Sequence, residues 1–254
     1  MSSKPLILVT NDDSIHAKGL HKLVQILRPL GEVVVIASEQ MMSGMSHAVT
    51  IKTPLMPRLV KQEEGYTEYI TNGTPVDNVK IGRHRLLDRK PDLIVSGINH
   101  GSNAAINIVY SGTMAAAMEG AIEGIPAIGF SLDDFDLEAD FSHVAPYVEL
   151  ITRKVLDEGL PEGICLNVNI PKKSDQPIKG IKTVRQAKAR WVEEFEQRTD
   201  PYGRQYYWMG GVFENGDPRP DTDEKAMAEN YVAVVPVKVD FTADQYLDQI
   251  KFPS

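Results

Sequence analysis

Residues 5–14 read PLILVTNDDS. An unbroken apolar run, Leu6 to Val9, stops at Thr10 and Asn11, and two carboxylates, Asp12 and Asp13, follow directly. A continuous apolar run bounded by polar residues reads as a strand covered on both faces, the pattern of a parallel sheet. The rest of the first two thirds repeats that signal in alternation with helical periodicity. AKGLHKLVQILRPLG (17–31) places Leu20, Leu23, Val24 and Leu27 on one helical face and stops at Pro29 and Gly31. EVVVIA (32–37), PDLIVSG (91–97) and PAIGFSL (126–132) are further apolar strands, and YTEYIT (66–71) is a weaker, alternating one. Thr74, Pro75 and Asp77 are an N-cap, a first-turn proline and an N3 acid, and so mark a helix start. SGTMAAAMEGAIEG (111–124) and FSHVAPYVELITRKVLDEG (141–159) complete the helices. The expected fold is α/β, a doubly wound, mostly parallel sheet with right-handed crossovers.

Composition narrows the function. The 254 residues are 42% hydrophobic and 24% charged, as in an ordinary globular protein. A net charge of −8 argues against non-specific binding to nucleic acid. No run approaches the roughly 18 apolar residues of a membrane span, and no secretory leader is expected. The single cysteine, Cys165, lies in the apolar run GICLNVNI and reads as a core thiol in a reducing compartment. The expected location is the cytoplasm.

Ligands of such a sheet bind beyond the carboxyl ends of the strands. The segments there are NDDS (11–14), SEQMMSG (38–44), SGINHGSN (96–103) and SLDD (131–134). Neither GxGxxG nor GxxxxGK[ST] is present, nor HExxH, paired CxxC or GxSxG, so dinucleotide, P-loop, zincin and hydrolase-elbow chemistries find no support. Two readings of Asp12 and Asp13 stand. They make a turn or cap the next helix, or they share a divalent cation with nearby oxygen donors such as Ser43 and Asn99. Oxygen ligands suit Mg²⁺ or Mn²⁺, with Ca²⁺ also compatible. Ser111, Gly112 and Thr113 open a strong helix, either as a plain Ser cap or as an anion site. His100 sits in a glycine- and asparagine-rich loop where a substrate contact and a structural role are both open.

Several segments together carry a family resemblance: ILVTNDDSIHAKGL, SGMSHAVT, NGTPVDNV, PDLIVSGINHGSN, YSGTMAAAMEG, LNVNIP, YYWMGG and TDEKAMAENYVAVVPV. In this order they resemble the SurE (survival protein E) family of metal-dependent 5'/3'-nucleotidases. The resemblance implies a Rossmann-like catalytic domain over residues 1–170. It also implies a β-hairpin extension and swapped-type tail over residues 171–254, through which a homodimer or homotetramer forms. It places one divalent cation on Asp12, Asp13, Ser43 and Asn99, with Asp12 and Asp13 as the catalytic pair. It places substrate phosphate on Asn103, Ser111, Gly112 and Thr113. The implied substrate is a nucleoside monophosphate, with polyphosphate hydrolysis or a non-catalytic nucleotide sensor as alternatives. Four positions depart from the family pattern: Ser14 and Ala105 stand where the family carries glycine, Asn107 where it carries aspartate, and Met114 where it carries valine. Trp191, Phe195, Tyr206, Tyr207 and Trp208 need cover, which a second subunit, the parent domain or a stacked nucleobase would each supply.

Overall fold

The computed structural model describes residues 4–136 and 138–252. Eleven strands and six helices form in the order β1 (Leu6–Thr10), α1 (Lys18–Leu27), β2 (Glu32–Ser38), β3 (Arg58–Glu63), β4 (Tyr66–Thr71), α2 (Pro75–Ile81), β5 (Leu93–His100), α3 (Asn107–Tyr110), α4 (Gly112–Ile122), β6 (Ala127–Asp133), α5 (Ala145–Glu158), β7 (Ile164–Pro171), β8 (Ile181–Thr183), β9 (Ala189–Thr199), β10 (Gln205–Asn215), α6 (Asp223–Ala228) and β11 (Val232–Lys238) among the described residues. Nine strands make one sheet, ordered β3-β4-β2-β1-β5-β6-β7-β11-β8. The six strands from β4 to β7 are parallel. Strands β3 and β11 run against their neighbours β4 and β7. The expected doubly wound α/β architecture is therefore present.

The apolar run of β1 resolves into two alternating sets. Ile7 and Val9 pack with Leu20, Leu23 and Leu27 of α1 and Val148, Ile151 and Val155 of α5. Leu6 and Leu8 pack on the other face with Val79 of α2 and Met114, Ala117 and Ala121 of α4. Period-two alternation thus feeds two cores from one strand, which explains why no residue between Leu6 and Val9 is polar. Helix α4 is buried nearly all round, so its sequence is apolar on every face. Thr74 caps α2 in a full capping box with Asp77, as the residues dictate.

The sheet reverses direction of growth at β1, which pairs with β2 on one side and β5 on the other. That is the switch point of the topology, where a crevice opens between diverging connections. Thr10 pairs with Ser96, so the segments after β1 and β5 emerge side by side. Strand β3, exposed at every position and antiparallel to β4, was not expected, because its mixed sequence RLVKQE carries no clear apolar face.

Residues after Pro171 do not all leave the sheet. Strand β11 pairs with β7, and β8 pairs with β11. The β9–β10 hairpin alone forms a separate two-stranded sheet, paired from Gln205 with Thr199 to Asn215 with Ala189. Phe195, Tyr207, Trp208 and Met209 of the hairpin are exposed, as are Phe241, Leu247, Ile250 and Phe252 of the tail. Among the described residues no helix is long and apolar enough to cross a membrane.

Helix α1 approaches β5 most closely at Gly19, where an added Cβ would stand 2.0 Å from the Ile98 carbonyl oxygen. Backbone cannot yield as a side-chain tip does. Gly19→Ala is expected to cost about 2–3 kcal/mol of stability, measured by urea unfolding, the scale of overpacking in a closed core.

Candidate active site at the switch point

The turn after β1 is built by its own polar residues. The Asn11 side-chain amide donates to the Ser14 carbonyl at 2.8 Å, and the Ala17 N–H donates to the same oxygen at 3.2 Å. Ser14 adopts φ +84°, the conformation glycine adopts without strain. Helix α1 begins at Ala17 with no side-chain cap. Asp12 and Asp13 therefore neither cap the helix nor hold the turn, and both carboxylates are free to face other elements.

They face opposite neighbours. The Thr113 hydroxyl at the start of α4 donates to Asp12 Oδ1 at 2.5 Å. Gly112 permits this approach, because a Cβ there would stand 2.9 Å from Asp12 Oδ2. Asp13 Oδ2 accepts from the His100 backbone N–H at 3.1 Å and lies 3.3 Å from His100 Nδ1. The His100 ring packs edge-on against Phe141, and its buried Nε2 has no partner among the described residues. Burial and then the neighbouring Asp13 charge push the Asp12 carboxyl up to about 6, while hydrogen bonds from Thr113 act against the rise.

The other expected residues divide. The side-chain amide of Asn99 donates to the carbonyls of His100 at 3.0 Å and Gly101 at 2.9 Å, which leaves its Oδ1 as the remaining acceptor. The β5–β6 register shifts between Ser96 and Asn99, so the strand end is re-aimed at this point. Ser43 is exposed on the loop after β2, and that loop reaches the site where the Met42 N–H donates to the Asp12 carbonyl at 2.7 Å. Ser111 caps α4, its hydroxyl accepting from the Met114 N–H at 3.0 Å. Asn103 is held in a buried amide network: its side chain donates to Ser131 at 2.8 Å, its N–H donates to Asn169 Oδ1 at 2.8 Å, and its carbonyl accepts from Asn167 at 2.8 Å.

Sequence reading passed over Ser131, Asn167 and Asn169. The signal was present in LNVNIP, since two asparagines two apart in a buried strand share a face and must be bonded there. It also passed over Asp223. This fully buried carboxylate accepts from the N–H groups of Ala105 and Ala187 at 2.8 Å and 2.9 Å and so pins the loop around Asn103. Ala105 has φ +50°, so both positions where this chain departs from glycine carry a left-handed backbone.

The donor set fits a hard divalent cation. The candidate ligands Asp12, Asp13, Asn99 and Ser43 offer oxygen alone, from two carboxylates, an amide and a hydroxyl.

The raised Asp12 carboxyl has a consequence for stability. The folded chain keeps a proton on Asp12 that the unfolded chain, with its ordinary value of 3.8, releases earlier. Stability without cation should therefore fall as pH rises from about 4 to about 6. The loss is on the order of 3 kcal/mol. Asp12→Asn should remove that part of the slope. Urea unfolding of both proteins in chelator across this window checks it, and equal slopes would refute it.

The chain is similar to known proteins over nearly all its length. The family model described as Survival protein SurE matches residues 7–193. The protein named 5'-nucleotidase SurE from Christiangramia forsetii is 55% identical over 249 residues, covering 97% of this chain and 96% of the relative. The protein of the same name from Cytophaga hutchinsonii is 54% identical over 249 residues, covering 98% and 96%. The crystal structure of the SurE protein from Aquifex aeolicus superposes with a TM-score of 0.83 at 40% identity, covering 97% of this chain and 98% of that one. A doubly wound sheet with an acidic pair at its switch point, matched in sequence and structure from end to end, makes this chain a member of the SurE family.

Proposed function

We propose that this protein is a divalent-cation-dependent phosphomonoesterase that hydrolyses nucleoside 5'-monophosphates, and 3'-monophosphates as second substrates, to nucleoside and phosphate. The observation that carries the reading is the meeting of Asp12 and Asp13 with the N-terminus of α4 across the Thr113–Asp12 hydrogen bond. An anion bound beside this junction would meet a helix dipole on one side and a cation-holding pair on the other.

Asp12, Asp13, Asn99 and Ser43 would hold the cation. When bound, it would neutralise phosphate charge and polarise a phosphate oxygen. Phosphoryl transfer asks mainly for positioning and charge stabilisation. The start of α4 supplies both, with Ser111, Gly112 and Thr113 at the phosphate oxygens and Asn103 held rigid beside them by Ser131, Asn167 and Asn169. Asp12 or Asp13 would orient the attacking water and take its proton. The net charge of −8 keeps nucleic acid off the surface, and buried Cys165 fits a reducing cytoplasm.

The exposed aromatics of β9–β10 and the apolar tail support a homodimer or homotetramer built through this region. Replacing residues 190–214 by a short Gly-Ser linker removes no strand of the nine-stranded sheet, though it takes away the Trp191–Asn107 bond at the base of the hairpin. The expected product is a smaller assembly by light scattering, and an unchanged mass would remove the hairpin from the interface.

Function is tested by turnover of 5'- and 3'-nucleotides, polyphosphate and sugar phosphates with Mg²⁺, Mn²⁺ or chelator. Nucleoside monophosphates should be the preferred substrates, and chelation should abolish hydrolysis. Asp13→Asn should lower kcat/KM by about 100-fold or more, the scale of a lost charged group at a transition state. Polyphosphate as the best substrate would favour the other phosphatase, and binding without turnover would leave a sensor.

A further inference from the structure

Helix α4 is apolar almost throughout, yet it buries one charge. Glu119 is 2% exposed among Ala115, Ala116, Ala117 and Met118. Burying a carboxylate is costly unless each oxygen finds a partner. Lys80 of α2 occupies Oε1, and His47 Nε2 lies 3.0 Å from Oε2. Burial pushes this carboxyl up, and the hydrogen bonds from His47 and Lys80 together bring it below its ordinary value.

His47 belongs to the long connection between β2 and β3, residues 39–57, which contains no strand or helix. Connections of that length inside a compact domain are commonly functional. Ser43, the oxygen donor of this connection, is itself exposed and makes no hydrogen bond among the described residues. Its position is set from either side. Upstream, the Met42 N–H holds the Asp12 carbonyl. Downstream, the Ser46 hydroxyl donates to the Val109 carbonyl at 2.7 Å, and His47 reaches the buried Glu119. Of these contacts, His47–Glu119 is the one made to a buried carboxylate, and that carboxylate lies on the same helix that opens with Ser111, Gly112 and Thr113.

We propose that His47, through buried Glu119, is a positioning residue that holds the Ser43 loop in register with α4 and so completes the oxygen set around Asp12 and Asp13. This role rests on the cation reading given above. Lys80 already joins α2 to α4, and the second oxygen of Glu119 is met from the β2–β3 connection and not from another helix.

The test compares wild type with His47→Ala, His47→Gln and Ser46→Ala. Mn²⁺ affinity is read by calorimetry, loop order by limited proteolysis within residues 39–57 in chelator, and stability by Tm in chelator. His47→Ala should weaken Mn²⁺ binding about tenfold, the lower end of what residues behind a ligand contribute. It should raise the Mn²⁺ needed for half-maximal hydrolysis by the same factor, hold kcat at saturating Mn²⁺ and speed loop cleavage. His47→Gln, whose amide still donates to Glu119, should restore most of the affinity. Ser46→Ala, which removes the neighbouring anchor, should shift affinity the same way by a smaller factor. Equal Mn²⁺ affinity in wild type and His47→Ala, with or without a fall in Tm, would overturn the positioning role while leaving the cation reading intact. A wild type that binds no Mn²⁺ would overturn the cation reading itself and this role with it.

Discussion

Two carboxylates at the end of a strand buried on both faces set the terms for everything around them. Asp12 is 3% exposed and stands beside a second negative charge. Burial and repulsion both favour the protonated form, which is why its carboxyl rises to about 6. A fold that keeps this pair must answer it with positive potential. Among the described residues the start of α4 supplies it at Asp12 through the Thr113 hydroxyl, and the His100 N–H supplies it at Asp13.

The surrounding backbone is shaped to make that meeting possible. Ser14 bends the chain out of β1 with a left-handed φ, so that consecutive side chains no longer alternate across the sheet. Gly112 brings the helix start against Asp12 without a Cβ in the way. The β5–β6 register shifts between Ser96 and Asn99, at the end of the strand that pairs with β1. Ser14 and Ala105 hold conformations that glycine adopts more cheaply, a local cost tolerated where the surrounding hydrogen bonds over-determine the chain.

Three further elements converge on the site from a distance. The β2–β3 connection is tied to α4 through His47 and Glu119. The loop around Asn103 is pinned by Asp223 at the head of α6. The base of the hairpin touches the same loop, where the Trp191 indole N–H donates to Asn107 Oδ1 at 2.7 Å. Asn107 accepts this bond as an aspartate would, so this departure from the family pattern keeps the link between hairpin and loop.

The sequence by itself determined the architecture and singled out the acid pair that follows β1. Continuous apolar runs at β1, β2, β5 and β6, separated by 3.6-period helices, admit few arrangements other than a doubly wound sheet, because each strand must be covered on both faces. The capping box at Thr74 and the acids after Val9 were legible because local chemistry alone explains them. Tertiary structure decided what those acids touch. Thr113 is 101 positions from Asp12 and His100 is 87 positions from Asp13, and no local rule links residues that far apart. Strand β3 was illegible because its pairing is set by β4 and not by a face of its own. The return of β11 to β7 was hidden for a related reason. An apolar strand at the end of the chain reads the same whether it extends the parent sheet or a tail, and only the neighbour offering free N–H and C=O groups settles which.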